Sequence, residues 1–211
     1  MPQTDKIDLF KLHKDQYVTP NEPQLVEIKP AQYLTITGRG EPGGKEFSSK
    51  IGALYGAAYT IKMTLKFSGK QDYTVCKLEC QYWMNGNNYN FSNTPQEQWN
   101  WKFLIRTPDF VNDEDLENAV KKLLEKGKEP EVKQVKLESI SEGLCVQALH
   151  IGPYDKEEET LNKMMDVTGR QGLEFHGMHH EIYLSDPCRI KPENLKTILR
   201  MPVRKKKPGV L

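Results

Sequence analysis

Two stretches of this chain, each a short apolar run broken by a few polar positions, read alike. Trp101-Lys102-Phe103-Leu104-Ile105-Arg106-Thr107-Pro108 and Leu195-Lys196-Thr197-Ile198-Leu199-Arg200-Met201-Pro202 both have the character of a strand closing on Arg-x-Pro. Each is preceded by a second strand carrying one carboxylate among apolar and aromatic residues: Glu79 in Lys77–Trp83 and Glu181 in His179–Leu184. Before these, each half offers an extended stretch, a glycine-containing break and a helical stretch. The pattern predicts an α+β fold made of duplicated β-α-β-β units. Antiparallel sheets have helices on one face, and two sheets meet at a central ligand groove between the copies.

In detail, residues 1–22 are polar and lysine-rich and form an N-terminal arm. A single domain then spans 23–203. Its first copy, about 23–111, opens with Leu25–Ile28 and, past Pro30, Tyr33–Thr37, where β-branched and aromatic residues favour extension. The glycines between Gly38 and Gly44 make a loop. Apolar residues from Ile51 to Leu65 recur at helical spacing and predict a helix over about 47–67. Strands follow over 73–84 and 99–106, with polar turn material at Asn85–Pro95. The run Asp113-Glu114-Asp115 opens a connecting helix (about 112–130) with acids at its start and lysines at its end, as the helix dipole favours. The second copy, about 131–203, begins with Val135–Ile140 and Leu144–His150, predicted as a hairpin turning at Glu142-Gly143. A helix over 157–169 and strands over 178–184 and 195–202 complete it, and a basic tail occupies 204–211.

Composition narrows the function. The formal net charge of +1 argues against an electrostatic partner such as DNA or an anionic membrane. No apolar run is long enough to span a bilayer. Met1 to Asp8 lacks the apolar core of a signal peptide, and Cys76, Cys80, Cys145 and Cys188 show no paired metal spacing. The expectation is a cytoplasmic protein with reduced thiols.

Strand alternation puts His179, Glu181, Tyr183 and Ser185 on one face. The more apolar set, Met178, His180, Ile182 and Leu184, is expected to face the helix of its own unit, leaving Glu181 in the groove beside Tyr183. A carboxylate in an aromatic slot has its charged form disfavoured and becomes a usable acid or base near neutrality; the competing reading is a solvated carboxylate. Glu79 occupies the matching place, where Lys77 offers it a surface ion pair. Trp83 could wall a slot for a flat ligand, with Trp99 and Trp101 on the next strand, or these tryptophans are core. Tyr154, after Gly152-Pro153, could present its hydroxyl at the mouth of a cleft; Tyr55 and Tyr59 are less specific. His179 and Glu181 offer two metal ligands locally, short of the three that a catalytic zinc needs, so no metal and no other cofactor is expected. No phosphate loop, nucleophile elbow or helix-turn-helix is evident.

Several strings carry a resemblance: Tyr33–Gly38, Ala53-Leu54-Tyr55, Ala58-Tyr59-Thr60, Ile105–Val111, His150–Tyr154, His179–Pro187 and Leu195–Val203. Together they resemble the GyrI-like small-molecule-binding family over about residues 23–203. The resemblance implies a duplicated βαββ-type fold whose groove takes flat, apolar, often cationic compounds around a glutamate, here Glu181, with Trp83 and Tyr154 in the site. Stand-alone members similar to this chain are implicated in hydrolytic opening of cyclopropane rings in DNA-alkylating natural products. The family's Leu-Glu-Gly-x-Trp-Trp pattern reads Leu78-Glu79-Cys80-Gln81-Tyr82-Trp83 here, losing a glycine and a tryptophan. The expected function is therefore a cofactor-independent hydrolase with Glu181 and Tyr154 catalytic, and with Trp83, Tyr183, His179, Trp101, Tyr55 and Glu79 binding the ligand. The alternatives are a non-catalytic drug-binding module and an interaction protein.

Overall fold

The computed structural model describes residues 6–84 and 94–206, so most of the turn expected at Asn85–Pro95, and the tail beyond Lys206, lie outside the described residues. Among the described residues there are nine strands: β1 (Gln24–Ile28), β2 (Ala31–Arg39), β3 (Glu79–Trp83), β4 (Asn100–Arg106), β5 (Lys136–Ile140), β6 (Gly143–Ile151), β7 (Leu173–Phe175), β8 (His179–Tyr183) and β9 (Lys196–Lys205). Eight of them form one antiparallel surface in the order β1-β6-β9-β8-β3-β4-β2-β5, and β7 pairs with the far end of β9. The two sheets expected from the duplication are thus a single sheet. They fuse where β3 meets β8, with Cys80 opposite Glu181 and Tyr82 opposite His179.

The expected hairpin at Glu142-Gly143 does not form. β5 pairs with β2, and β6 pairs with β1 and β9. Each copy hands its first strand to the edge of the other copy's half. Only Ser141 and Glu142 link β5 to β6, and the Glu142 side chain is buried against His180, Arg200 and Gln81 rather than exposed at a hairpin tip.

The Arg-x-Pro stop holds once. β4 ends at Arg106, but β9 runs on through Pro202 to Lys205. Proline cannot donate to a ladder. Here Pro202 falls where β9 changes partner, from Cys145 of β6 to Phe175 of β7 at the next residue, and its carbonyl accepts from His176.

Helices α3 (Lys45–Phe67) and α5 (Glu157–Arg170) cover one face of the sheet, and α4 (Asp113–Glu125) packs on α3. An Asn112/Asp115 capping box starts α4. Under α3 lies the larger core: Leu34, Ile36, Trp101, Phe103 and Ile105 against Ala53, Leu54, Ala57 and Ile61. Under α5 the core is Val146, Ala148, Leu199 and Met201 against Met164. Gly38 is there for Trp101: a Cβ at 38 would overlap the indole ring. Gly38→Ala is expected to destabilise by about 1–3 kcal/mol through overpacking, measured as a lowered urea midpoint.

The opposite face is closed by residues 6–22 of the N-terminal arm. α1 (Leu9–Leu12) and α2 (Lys14–Tyr17) seat Tyr17 and Phe10 on Ile182, Ile198 and Leu184. The arm also joins the duplicated arginines. Arg106 donates to the Gln16 side chain at 2.9 Å and Arg200 to the Gln16 carbonyl at 2.7 Å. No helix among the described residues is long and apolar enough to cross a membrane.

Candidate functional site

The helix-bearing face is interrupted between α3 and α5, above the β3–β8 seam. A cavity of about 1570 Å³ lies there. Its floor is the seam itself, where Tyr82, His179, Glu181 and Tyr183 point upward. Phe47, Ile51, Tyr55 and Tyr59 of α3 form one wall, Leu161 and Met165 of α5 the other, and Trp99 and Tyr154 also line it. Glu181 therefore shares the face covered by the helices. The expectation for β8 is reversed: Ile182 and Leu184, the apolar set, pack on the N-terminal arm instead. Two helices held apart by their own copies leave a gap, and residues pointing into that gap line a cavity.

Glu181 is held as a hydrogen-bond acceptor. Tyr183 donates its hydroxyl to Oε2 at 2.7 Å, and His179 Nε2 lies 3.1 Å from Oε1. The Tyr82 and Tyr183 hydroxyls are 2.9 Å apart. Because Tyr183 spends its proton on Glu181, Tyr82 donates to Tyr183, forming a relay that ends on the carboxylate. Burial, and then the charge of Glu181, raise the Tyr183 phenol well above its usual value. Burial, with neighbouring Cys80 and Glu181, does the same to Tyr82, so both remain donors. Tyr154 stands at the mouth, edge-on to Tyr183 with ring centroids 5.9 Å apart. Burial and Glu181 push its phenol up to about 12. It too keeps its proton, although its ring is 40% exposed.

Glu157, the first residue of α5, completes the floor. Its carboxyl is buried among the lining residues and faces Glu181. Burial first, and the Glu181 charge second, raise it well above the ordinary carboxylate range. One ligating atom each of Glu157, His179 and Glu181 lie within 4.8 Å of one another. Glu157 thus joins the two potential ligands expected on β8 as a third, although His179 and Tyr183 already engage the two oxygens of Glu181.

Of the residues singled out in the sequence, the structure brings Glu181, Tyr183, His179, Tyr154 and Tyr55 together at the cavity. Three others lie elsewhere. Trp101 is fully buried under α3, against Phe47 and Phe103, with its indole N–H donating to the Gly40 carbonyl. Glu79 and Trp83 alternate with Cys80 and Tyr82 along β3 and so point to the opposite face. Glu79 is wholly buried there, accepting from Tyr17 at 2.9 Å and lying 3.0 Å from His180 Nε2, rather than forming a surface pair with Lys77. A resemblance aligns positions, but strand alternation decides which face each one serves. Trp99, which the sequence offers as part of the slot, also lines the cavity, whereas Tyr82 and Glu157 carry no expected role there. Tyr82 was noted only as a departure from a pattern, and Glu157 is one of three successive acids, of which only tertiary packing turns one inward.

A twofold-repeated antiparallel sheet with an aromatic cavity over its seam and a carboxylate at the bottom defines a small-molecule-binding protein. Residues 21–204 match the GyrI-like small molecule binding domain, and the chain belongs to that family. No curated protein matches significantly. Among solved structures, an uncharacterized conserved protein from Listeria innocua is similar at 36% identity and a TM-score of 0.88, over 94% of this chain and 100% of the other. A hydrolase from Listeria innocua is similar at 35% identity and 0.84, over 94% and 100%. The C-terminal domain of EcmrR shares the fold at 16% identity and 0.55, over 87% and 98%.

Proposed function

We propose that this protein is a cofactor-independent hydrolase that opens reactive cyclopropane rings of flat, DNA-alkylating aromatic compounds by adding water, and so detoxifies them in the cytoplasm. The observation that carries the reading is Glu181, held as an acceptor at the floor of an aromatic-walled cavity with the Tyr154 hydroxyl at its mouth. Similarity to hydrolases at 34–35% identity supports it. Stacking between Tyr55 and Trp99 would seat a planar ring system. Glu181 takes a proton from water as the water oxygen attacks the ring methylene. The cyclopropane C–C bond breaks, and its electron pair moves through the conjugated ring to the carbonyl oxygen. Tyr154 donates a hydrogen bond to that oxygen as its charge grows. Protonation of the phenolate by solvent and loss of the Glu181 proton to solvent return the site to its starting state. The product is a phenol bearing a primary alcohol.

The test is the time course of a spirocyclopropane dienone of the duocarmycin type, followed by mass spectrometry for gain of one water. Tyr154→Phe is expected to lower kcat roughly 100-fold, the size of one lost oxyanion donor, while KM changes little. An unchanged kcat would remove Tyr154 from the mechanism.

A second reading, binding of drugs or dyes without chemistry, is favoured by the size of the cavity. At about 1570 Å³ it exceeds the roughly 300–1,000 Å³ of ordinary ligand pockets. In that case an aromatic cation would stack on the walls and pair with Glu181. Saturable binding without consumption of the dienone would select this reading.

A further inference from the structure

Two carboxyls face each other at the bottom of the cavity, and they are not equivalent. Glu181 has a polar partner on each oxygen: the Tyr183 hydroxyl donates to Oε2, and His179 Nε2 lies 3.1 Å from Oε1. Glu157 is more than nine-tenths buried, and its Oε1 meets no donor among the described residues. Two buried carboxylates in contact cannot both ionise near neutrality; one proton is shared, and it resides on the group whose charged form is less well solvated. Donor geometry assigns that proton to Glu157.

We propose that Glu157 is a second functional carboxyl of this cavity: it holds the proton the pair shares, donates it to Glu181, and thereby sets the charge, and with it the ligand preference, of the cavity floor. With the proton in place the floor is singly negative and suits a neutral flat ligand or a weakly held monocation. When the proton leaves, the second negative charge strengthens binding of an aromatic cation and leaves a neutral ligand unaffected. The titratable groups lining the cavity with Glu157 come from every side: Glu181, His179 and Tyr183 from β8 and Tyr82 from β3, Tyr154, Asp155 and Glu158 beside it in the chain, and Tyr55 and Tyr59 from α3. Asp186 and Cys188 lie beyond β8, and Lys77 lies before β3; of these Glu181 acts on Glu157 directly. Burial and the Glu181 charge both hold the Glu157 proton above the ordinary range. The inference concerns binding and stands whether or not the cavity hydrolyses anything.

The test uses ethidium as an aromatic cation and phenanthridine as a neutral flat ligand, each titrated by fluorescence into the full chain between pH 6 and pH 10. Wild type is expected to bind ethidium at least five-fold more tightly at the alkaline end, with phenanthridine unchanged. Glu157→Gln, which keeps a neutral donor in place, should hold ethidium at the wild-type pH 6 affinity throughout. The carboxyl ¹³C resonance lost in Glu157→Gln should titrate above the ordinary glutamate range in wild type and fall back into it in Glu181→Gln. An alkaline rise that persists in Glu157→Gln, or a Glu157 resonance that titrates as an ordinary glutamate in wild type, would overturn the assignment. Failure of dienone hydrolysis would leave both readouts intact and bear only on the hydrolase reading.

Discussion

Glu181→Gln is expected to abolish water addition to a spirocyclopropane dienone, with kcat falling roughly 100- to 10,000-fold, the usual worth of a positioned general base. Glutamine has nearly the same shape and still accepts a hydrogen bond at one atom. The Tyr82–Tyr183 relay keeps an acceptor, and the aromatic walls are untouched. Binding of the dienone, read by quenching of Trp99 and the other tryptophans, should therefore change little. A fall in kcat with intact binding separates loss of the base from loss of the site. Full turnover by the variant would sink the mechanism, and weakened binding without any turnover in wild type would move the protein to the non-catalytic reading. The result expected of Glu157→Gln differs in kind: it keeps the base and fixes the neighbouring side chain as neutral at every pH.

The second large effect lies on the other face of the sheet. Glu142 sits 2.9 Å from His180 Nδ1 and 3.3 Å from Arg200, and also accepts from Gln81, while His180 reaches Glu79 at 3.0 Å on its other nitrogen. These groups are almost wholly buried. Burial alone would raise the Glu142 carboxyl, but His180 and Arg200 outweigh it and hold it near about 2. Burial would lower His180, but Glu142 and then Glu79 carry it to about 9. Glu142→Ala leaves two buried cations short of a partner and is expected to cost on the order of 3–5 kcal/mol, measured by urea denaturation near pH 6.

The pH dependence follows from the two signs. Glu142 is depressed, so its contribution is present above the ordinary carboxylate value and is lost as pH falls toward about 2. His180 is raised, so its contribution is fully present below the ordinary imidazole value of about 6.5 and is lost as pH rises through about 9. Stability should plateau between about pH 4.5 and 6.5 and decline on both sides, and Glu142→Ala should flatten both limbs. A stability curve that is flat from pH 6 to pH 10 in wild type would show that His180 is not held protonated.

Much of this architecture is written in short-range patterns. The apolar run of β4, the 3.6-residue spacing in α3 and the acidic start of α4 each carry their element locally. The repeated Arg106 and Arg200, each beneath its own copy and joined through Gln16, show why the duplication was visible: equivalent positions keep equivalent duties. Period-two alternation also grouped His179, Glu181 and Tyr183 correctly on one face of β8. Alternation, however, does not say which face a neighbouring element covers. The N-terminal arm took the apolar face of β8, and the paired helices took the polar one. Trp83 and Glu79 were misplaced for the same reason.

What the sequence by itself determined is the set of elements, their duplication, and which side chains share a face, because these depend on torsional preference and on periods of a few residues. What only the tertiary structure decided is long-range. The copies exchange their first strands, β1 pairing with β6 and β5 with β2. The two halves fuse at β3–β8, so that Tyr82 from one copy reaches Tyr183 of the other. The turn of α5 that brings Glu157 against Glu181 comes from packing on β6 and β9. Each of these joins residues tens of positions apart, where chain entropy is overcome by burial and hydrogen bonding that no local pattern records.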